Sequence, residues 1–395
     1  EMEKRISTVE EFFQNNHLNP LSNIQFGEGG AGTFSDGKLN TMVKDKLGRG
    51  KRIFEIFVEN GAPEEILYLQ KPHIGTDVLR KVIVNIRKKI ISMGGEFHFS
   101  TKLTDIMIQN NHVYGIEVNH RDIISCDVLV LAIGHSARDT FYLLHDKKLS
   151  MKSKNFAVGL RIEHSQEMIN QSQYGRNSHV LGPASYKLTH QTSSGRGVYS
   201  FCMCPGGYVV NASSEEGRVV VNGMSNYKRD SHNANSAIVV TVSQKDFGND
   251  LFGGVEFQRT LEEKAYSIGK GFIPIQLFDD YYHNRVSQSF GEIIPEVMGK
   301  YQFADLNLLF SEEINQSLRE GILAFDKQIK GFARGDAILL GVESRTSSPI
   351  IIERNDEFVS NVEGIYPCGE GAGYAGGITT AAIDGVKVAE AIVKR

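Results

Sequence analysis

Two glycine-rich segments contain the residues best suited to binding a ligand. The first spans residues 25–39 and reads QFGEGGAGTFSDGKL, and the second spans residues 364–385 and reads GIYPCGEGAGYAGGITTAAIDG. Glycines leave backbone N–H groups uncovered by side chains, so a phosphate or a polarised ring can approach them closely. Both segments therefore predict ligand-binding turns, with a mobile surface loop as the alternative for the first and a structural turn for the second.

The second segment has the stronger context for such a turn. The apolar residues 364–366 predict a strand before it, and the small and apolar residues from Ile378 onward predict a helix after it. Glu370 lies at the mouth of the turn, where a sugar hydroxyl would need an acceptor. A strand, a glycine-rich turn and a helix N-terminus in this order favour a bound phosphate or ring.

Three motifs together carry a family resemblance. They are GVESRTSSPI at residues 341–350, YPCGEGAGYAGGI at residues 366–378, and the first glycine-rich segment. Over nearly the whole chain, the sequence resembles the bacterial family of uncharacterised FAD-dependent, or NAD-utilising, dehydrogenases, which belongs to the glutathione-reductase-type flavoproteins. The resemblance implies an FAD/NAD(P)-binding fold and FAD as cofactor, and it allows NAD(P)H as the electron donor.

The resemblance also implies where the cofactor lies. In such flavoproteins the Gly-Glu pair binds the ribityl chain, the next helix points its N-terminus at the isoalloxazine ring, and the Ala-x-Gly turn passes close to the adenosine and pyrophosphate. Backbone near Leu103 and Thr104 would meet the adenine. The residues assigned to the cofactor in this way are Gly29, Gly30, Ala31, Gly32, Thr33, Ser35, Asp36, Gly37, Lys38, Gly134, His135, Gly369, Glu370, Gly376, Gly377 and Ile378.

The first residues lack the usual start of a dinucleotide-binding fold. Such a fold opens with a strand, a G-x-G-x-x-G turn, a helix and a second strand that ends in an acidic residue. Residues 1–16 instead read as a charged helix, which in the resembled family comes shortly after that acidic residue. We therefore expect the chain to begin downstream of its first βαβ unit, either by truncation or by loss of the unit, and to bind FAD weakly or not at all.

The pattern from residue 76 onward favours an α/β fold of mixed α+β character. Thr76 or Asp77 can cap a helix that ends at the glycines after residue 93. The fully apolar residues 128–133 predict a buried parallel strand that ends at the ligand-binding edge of a sheet. Short strands are predicted between these two elements at residues 96–100, 103–109, 113–119 and 122–126.

The character of the sequence changes near Met151. Alternating apolar residues predict a mostly antiparallel β region, with residues 199–204 and 208–212 as a strand pair, followed by helices near residues 255–268 and 311–325. Further strands are predicted at residues 156–163, 218–222 and 237–242. We therefore expect three parts, which are residues 1–150 as the first part of an FAD-binding domain, residues 151–340 as an inserted substrate or cap domain, and residues 341–395 as the C-terminal part of the FAD-binding domain.

Cys202 and Cys204 are candidate catalytic residues. Residues two apart on a strand point to the same face, so both thiols would line one surface, in either the core or a substrate pocket. Ordinary buried thiols are one reading, and a redox or substrate-contacting role is the other. A C-x-C pair supplies only two metal ligands, and we expect no metal site.

His135 and Lys187 are the other candidate catalytic residues. A lone histidine after a strand also serves as a hydrogen-bonding or capping residue. Lys187 forms a small basic group with His190 and Arg196, which could receive an anionic substrate or the phosphate of a nicotinamide cofactor. Solvated surface charges are the alternative for this group.

Composition limits the class of protein. The 395 residues are 41% hydrophobic and 23% charged, which is ordinary for a soluble globular chain. A formal net charge of -4 gives no general case for nucleic acid, and no apolar run approaches membrane-spanning length. We therefore expect a cytoplasmic protein that acts on a small molecule, with no nucleic-acid or membrane partner.

The sequence as a whole predicts an FAD-dependent oxidoreductase of unknown substrate that transfers hydride through flavin. The alternative is a non-catalytic protein, derived from a flavoprotein, that uses the same cleft for another nucleotide or for a partner. A flavin-dependent RNA-modifying enzyme is a third reading, and the lack of a basic surface argues against it.

Overall fold

The helices that the sequence predicts lie close to their expected positions. They are seen in a computed structural model that describes residues 1–41, 43, 45–178 and 180–394. The helix predicted from Thr76 and the helix predicted from Ile378 both begin at those residues. The α-helices are α1 (Met2–Asn15), α2 (Arg49–Glu59), α3 (Thr76–Ser92), α4 (Arg138–Asp146), α5 (Gln166–Tyr174), α6 (Gln244–Phe247), α7 (Gly253–Ile268), α8 (Phe278–Tyr282), α9 (Glu312–Asp326) and α10 (Ile378–Val393).

The strands fall into one large sheet and several small ones. The strands predicted at residues 103–109, 113–119 and 122–126 form a meander of β1, β2 and β3, and β17 pairs with β4 in parallel. The strands are β1 (Leu103–Gln109), β2 (His112–Val118), β3 (Asp122–Ser125), β4 (Leu129–Leu131), β5 (Met151–Ser153), β6 (Phe156–Ser165), β7 (Thr189–Gln191), β8 (Gly197–Cys204), β9 (Tyr208–Asn211), β10 (Val221–Met224), β11 (Asn233–Val242), β12 (Ile273–Leu277), β13 (Val297–Met298), β14 (Tyr301–Phe303), β15 (Ile338–Glu343), β16 (Ile350–Ile352) and β17 (Ile365–Pro367).

The large sheet confirms the mostly antiparallel region of a mixed α/β fold. Its order is β14-β12-β15-β6-β11-β8-β7, and only the pairing of β12 with β14 is parallel. Val158, Leu160 and Ile162 alternate along β6 and join the main hydrophobic core with Leu318 and Ile322 of α9. We call the part of the chain that contains this sheet, from β6 to β15, the cap.

The predicted pairing of residues 199–204 with residues 208–212 is wrong. β8 pairs with β11 and β7 in the large sheet, whereas β9 pairs with β10 and β13 in a separate sheet. Gly206 lies between them with a φ of 44°, and a Cβ there would stand 1.8 Å from the carbonyl oxygen of Arg229. The chain therefore turns from one sheet into another at this point instead of closing a hairpin.

The strand predicted as buried, residues 128–133, forms an open edge. It is reduced to β4, in which Val130 is 42% exposed, and Val128 just before it is 44% exposed. The strand predicted at residues 96–100 is absent from the described structure. A parallel strand is covered on both sides only when it has two neighbours, and β17 is the sole strand that pairs with β4 in the described part of the chain.

No helix in the part of the chain that the structure describes is long and apolar enough to span a membrane.

A tight backbone contact joins the start of α3 to the cap. Gly75 precedes α3 with a φ of 76° and a ψ of 153°, and a Cβ there would stand 2.2 Å from the amide nitrogen of Tyr227. Asp77, which the sequence predicts as a helix cap, instead accepts a hydrogen bond from that amide at 2.8 Å. The His73 and Tyr227 rings stack beside it, with centroids 5.4 Å apart.

Replacing Gly75 by alanine should destabilise the protein by on the order of 3 kcal/mol, because the new methyl group meets backbone and the dihedral angles favour glycine. Urea denaturation measures the free energy of unfolding. Gly48→Ala is the matched control, since Gly48 also has a positive φ, of 73°, but a Cβ there meets nothing within 4 Å. We expect the control to lose about 1 kcal/mol of unfolding free energy. Equal losses in the two variants would show that the close approach of Gly75 to the backbone of Tyr227 does not matter for stability.

Candidate functional site

Three turns meet at the carboxyl ends of β4 and β17. A Cβ on Gly371 would stand 2.4 Å from the carbonyl oxygen of Gly134, so these two turns touch through backbone. A Cβ on Gly32 would stand 2.9 Å from Cγ1 of Ile378. The hydroxyl of Thr379 donates to the carbonyl of Leu39 at 2.7 Å. Segments 25–39, 134–136 and 369–379, which are far apart in sequence, therefore form one site, which we call the glycine cradle.

The cradle presents bare backbone. Gly30, Gly134 and Gly369 have φ values of 67°, 71° and 74°, and a Cβ at any of them would meet nothing within 4 Å. Gly376, just before α10, has the same open surroundings. Side chains are disfavoured at the three positive φ values, and the space that they would fill is free. This arrangement suits a ligand that must approach backbone closely.

Glu370 is the acidic residue of the cradle. Burial raises the pKa of its carboxyl to about 7, although the nearby Lys154 acts in the opposite direction. The Lys154 ammonium donates to the carbonyl of Gly373 at 3.1 Å, and burial lowers the pKa of this lysine. Near neutral pH the Glu370 carboxyl is thus poised between an acceptor and a donor of hydrogen bonds.

The first glycine-rich segment is held in place by the protein itself. Arg5 of α1 is 1% exposed, and its guanidinium donates to the carbonyls of Asn23, Ile24 and Glu28 at 2.9, 2.7 and 2.6 Å. In the middle of the segment, the Thr76 hydroxyl donates to the carbonyl of Thr33 at 2.8 Å, and at its end the amide of Leu39 donates to the carbonyl of Pro72 at 3.0 Å. Because it is anchored along its length, the segment forms a defined wall of the site.

Several polar side chains that the resemblance assigns to the cofactor have partners within the protein. Ser35 Oγ donates to the carbonyl of Gly32 at 2.6 Å and accepts from the amide of Gly37. Asp36 is 4% exposed, and its carboxylate accepts both arms of the Arg229 guanidinium. Lys38 lies 4.0 Å from Asp36 and is about one-third exposed. Of these side chains, Lys38 is the one directed to the accessible side of the segment.

A large groove adjoins the cradle. Its volume is about 1020 Å³, and Gly27, Glu28 and Ser136 line the side next to the cradle. Leu103 and Thr104, which the resemblance places beside adenine, line it as well. We call it the α1 groove, because the first residues of α1 also contribute to it. It is long enough to extend the site beyond the turns.

An ionic network buried beside the groove was missed by reasoning from the sequence. Glu262 of α7 is 0% exposed, and its carboxylate accepts from Arg138 at 2.9 Å and from Arg345 at 2.7 and 2.9 Å. Glu215 also contacts the Arg138 guanidinium. Although burial opposes ionisation, the two arginines hold the pKa of Glu262 well below its usual range. The sequence signal that could have indicated this network is a serine close before an arginine, in GHSAR at residues 134–138 and in VESRT at residues 342–346.

His135 belongs to this network. It is 5% exposed and accepts a hydrogen bond from the Gln258 amide at 3.3 Å, with the Ser136 hydroxyl 3.2 Å from its Nδ1. Burial, followed by the charges of Arg345 and Arg138, lowers its pKa to about 3. A neutral, enclosed imidazole bonded to an amide acts here as a connector between the turn at Gly134 and α7.

The two thiols of β8 do not share a face. Cys202 is exposed, whereas Cys204 is buried and donates to the carbonyl of Cys202 at 3.3 Å. The register of β8 against β11 is irregular at this point, and Cys202 has a φ of 43°, so the strict alternation of a strand is lost. Although Cys202 is exposed, the surrounding protein atoms raise the pKa of its thiol. Both thiols are therefore protonated at neutral pH, as burial also raises the pKa of Cys204.

The basic group near Lys187 lies at the β7 edge of the large sheet. Lys187 is exposed, His190 contacts Glu320 of α9 at 3.1 Å, and Arg196 pairs with Asp246 and Glu313. Two of its three charges are thus already partnered by acids. The structure does not bring this group to the glycine cradle. Within the described ranges, no cluster of three or more His, Cys, Asp or Glu residues is arranged to hold a metal ion.

A bare-backbone cradle at the carboxyl ends of parallel strands, covered by a β-rich cap, defines a ligand-binding α/β protein. Residues 155–346 match the family described as FAD-dependent protein, C-terminal domain-like. An uncharacterized protein of Clostridium beijerinckii is 51% identical over 402 residues, which cover 100% of this chain and 75% of that protein. The chain belongs to the same family as this Clostridium protein.

Solved structures show a more distant similarity. L-proline dehydrogenase from P. horikoshii is 13% identical, with a TM-score of 0.36 over 80% of this chain and 56% of that one. Glycine oxidase from Bacillus cereus is 9% identical, with a TM-score of 0.30 over 82% of this chain and 57% of that one. The chain therefore spans little more than half the length of these two proteins.

Glu262→Gln should destabilise the protein by about 3 kcal/mol, because Arg138 and Arg345 lose the fully buried carboxylate that they share and keep only the partly exposed Glu215. Thermal and urea unfolding measure the loss. Glu263→Gln, one residue along α7, is the matched control, since Glu263 pairs with Arg218 while 54% exposed. That change should cost no more than about 1 kcal/mol. A similar small loss in both variants would show that the network contributes little.

Glu370 should make stability fall as pH rises. The pKa of the Glu370 carboxyl is about 7 in the folded protein, compared with an ordinary value of 4.5. The protonated carboxyl therefore adds its full contribution to the free energy of unfolding below pH 4.5, and this contribution is lost as pH rises through 7. Between pH 5 and pH 8, the wild type should lose about 1–3 kcal/mol more unfolding free energy than Glu370→Gln. Glu353→Gln removes an exposed carboxylate paired with Lys152 and is the control. Parallel pH curves for the wild type and Glu370→Gln would refute the assignment.

Proposed function

We propose that the protein is an FAD-dependent oxidoreductase whose glycine cradle receives the ribityl chain and flavin ring. The observation that carries this proposal is the convergence of three turns with free space at Gly30, Gly134, Gly369 and Gly376. The family match over residues 155–346 supports it. When bound, FAD would supply a ring that accepts or donates hydride.

The residues of the cradle fit such a group. Glu370 can bond a ribityl hydroxyl in either protonation state, and the Lys154 contact to the carbonyl of Gly373 keeps the turn beside it closed. The N-terminus of α10 has no side-chain cap, and a helix N-terminus favours negative charge such as that of a reduced ring. The α1 groove continues from Gly27 and Ser136, and its size suits the adenosine part of the cofactor.

The cap provides the opposite wall, on which we place the substrate. Ala157, Ala237 and Val239 form a small buried cluster on the large sheet, and the partly exposed Tyr199 and Phe201 pack against it and would present the surface of this wall. Thr346 attaches this wall to the segment that leads back to the cradle, through hydrogen bonds to the backbone of Ala157 at 2.8 and 3.1 Å. We propose a small-molecule substrate on this wall and NAD(P)H as a candidate electron donor.

The open edge of β4 favours a site that is incomplete in this chain. Val128 and Val130 project from one exposed face of the sheet, where a helix would cover them, and the second edge of β4 pairs with no strand in the described part of the chain. The α1 groove is lined by Ser136 and the residues after it, which follow β4. We propose that a further strand–turn–helix unit binds here and holds the pyrophosphate. The second candidate function is a non-catalytic protein that binds a nucleotide or a partner, and the same exposed edge of β4 supports it as a binding surface.

A visible absorption spectrum of the purified chain, with and without added FAD, tests the proposal. We expect little bound flavin in the chain alone, and stoichiometric flavin when a strand–turn–helix unit covers the open edge of β4. A full flavin band in the chain alone would contradict the incomplete site. No flavin in either form would contradict the function and favour the non-catalytic alternative.

A further inference from the structure

A buried arginine and aspartate lie directly behind the cradle turn at residues 369–377. Arg354 and Asp384 are each 8% exposed, and the guanidinium of Arg354 donates to both carboxylate oxygens, at 2.9 and 2.6 Å. The same guanidinium donates to the carbonyl of Pro367, the last residue of β17, at 2.7 Å. The pair therefore joins the end of β17 to the second turn of α10.

The aspartate also holds the first residue of the turn. Asp384 Oδ2 accepts a hydrogen bond from the amide of Gly369 at 2.8 Å. Gly369 has a φ of 74°, and a Cβ there would meet nothing within 4 Å, so its amide is fixed while its α-carbon faces open space. The backbone bends at this residue before it reaches Glu370. An internal carboxylate, and not a ligand, thus sets the direction of the turn.

Aromatic rings fix the arginine from the other side. The guanidinium carbon of Arg354 lies 3.7 Å from the ring centroid of Tyr374 and 4.6 Å from that of Phe358. Tyr374 lies within the turn, and its amide donates to the carbonyl of Gly369 at 3.1 Å. Arg354 therefore contacts both the entry and the middle of the turn. Such bidentate and stacked contacts are specific to arginine, since lysine cannot form them.

We propose that Arg354 and Asp384 are positioning residues that hold the turn at residues 369–377 in the shape that receives the cofactor. The inference rests on the proposed function, because the turn is the part of the cradle assigned to the ribityl chain. Neither residue touches the open side of the turn. Both act through Gly369, Tyr374 and the placement of Glu370.

The test compares Asp384→Asn and Arg354→Lys with the wild type. Asp384→Asn removes the charge that Arg354 and the Gly369 amide share, and Arg354→Lys keeps the positive charge but loses the bidentate and stacked contacts. Glu390→Gln is the matched control, because Glu390 also lies on α10 but pairs with Arg49. Each protein is examined by amide hydrogen exchange of the peptide covering residues 368–378 and by thermal unfolding. It is also titrated with FAD in the presence of the strand–turn–helix unit, and binding is followed through flavin fluorescence.

We expect faster exchange in that peptide for both variants and about tenfold weaker FAD binding, since a hydrogen bond to a charged group contributes on that order. Glu390→Gln should match the wild type in both measurements. If Asp384→Asn fails to fold, the exchange and affinity of Arg354→Lys test the positioning role. Unchanged exchange and affinity in a folded variant would overturn the positioning role. If the wild type binds no FAD even together with the strand–turn–helix unit, but exchange still rises in the variants, the clamp on the turn stands and the proposed function fails.

Discussion

The structure depends most on the buried network that joins Arg138, Glu262 and Arg345. Arg138 begins the helix after the Gly134 turn, Arg345 follows the last cap strand, and Glu262 lies on α7 of the cap. Removing two guanidinium groups from water costs several kcal/mol each unless a carboxylate compensates them. Because one fully buried carboxylate serves both arginines, the cap can meet the cradle only where all three side chains come together.

In the cradle, too, polar side chains are bonded within the protein. Polar side chains in the first segment, such as Ser35 and Asp36, are bonded within the protein and give the segment its shape. What faces the open space is backbone at glycines, together with Glu370 and Lys154 near the second turn. Because hydrogen-bonded side chains already hold the backbone in place, a ligand can bind without the entropy cost of ordering a loop. This is why a segment with so many glycines can form a defined wall.

The exposed edge of β4 and the α1 groove connect this cradle to the rest of the site. A parallel strand with apolar side chains on both faces is built for burial, yet Val128 and Val130 are accessible. The groove begins at Gly27 and Ser136, which are also where the cradle ends. The cradle is therefore complete in backbone and side-chain support, whereas the groove that adjoins it follows a strand with one unpaired edge in the described part of the chain.

The sequence by itself determined the elements whose cause is local. The apolar period of three and four residues set α3 and α10, and the glycine spacing set both turns. Tertiary structure alone decided that Cys202 and Cys204 point apart, that His135 is enclosed by α7, and that β8 and β9 enter different sheets. Each of these outcomes depends on a partner distant in the chain, such as β11 for Cys202 or Gln258 for His135. Periodicity and spacing describe only neighbours in sequence, so they cannot specify such contacts.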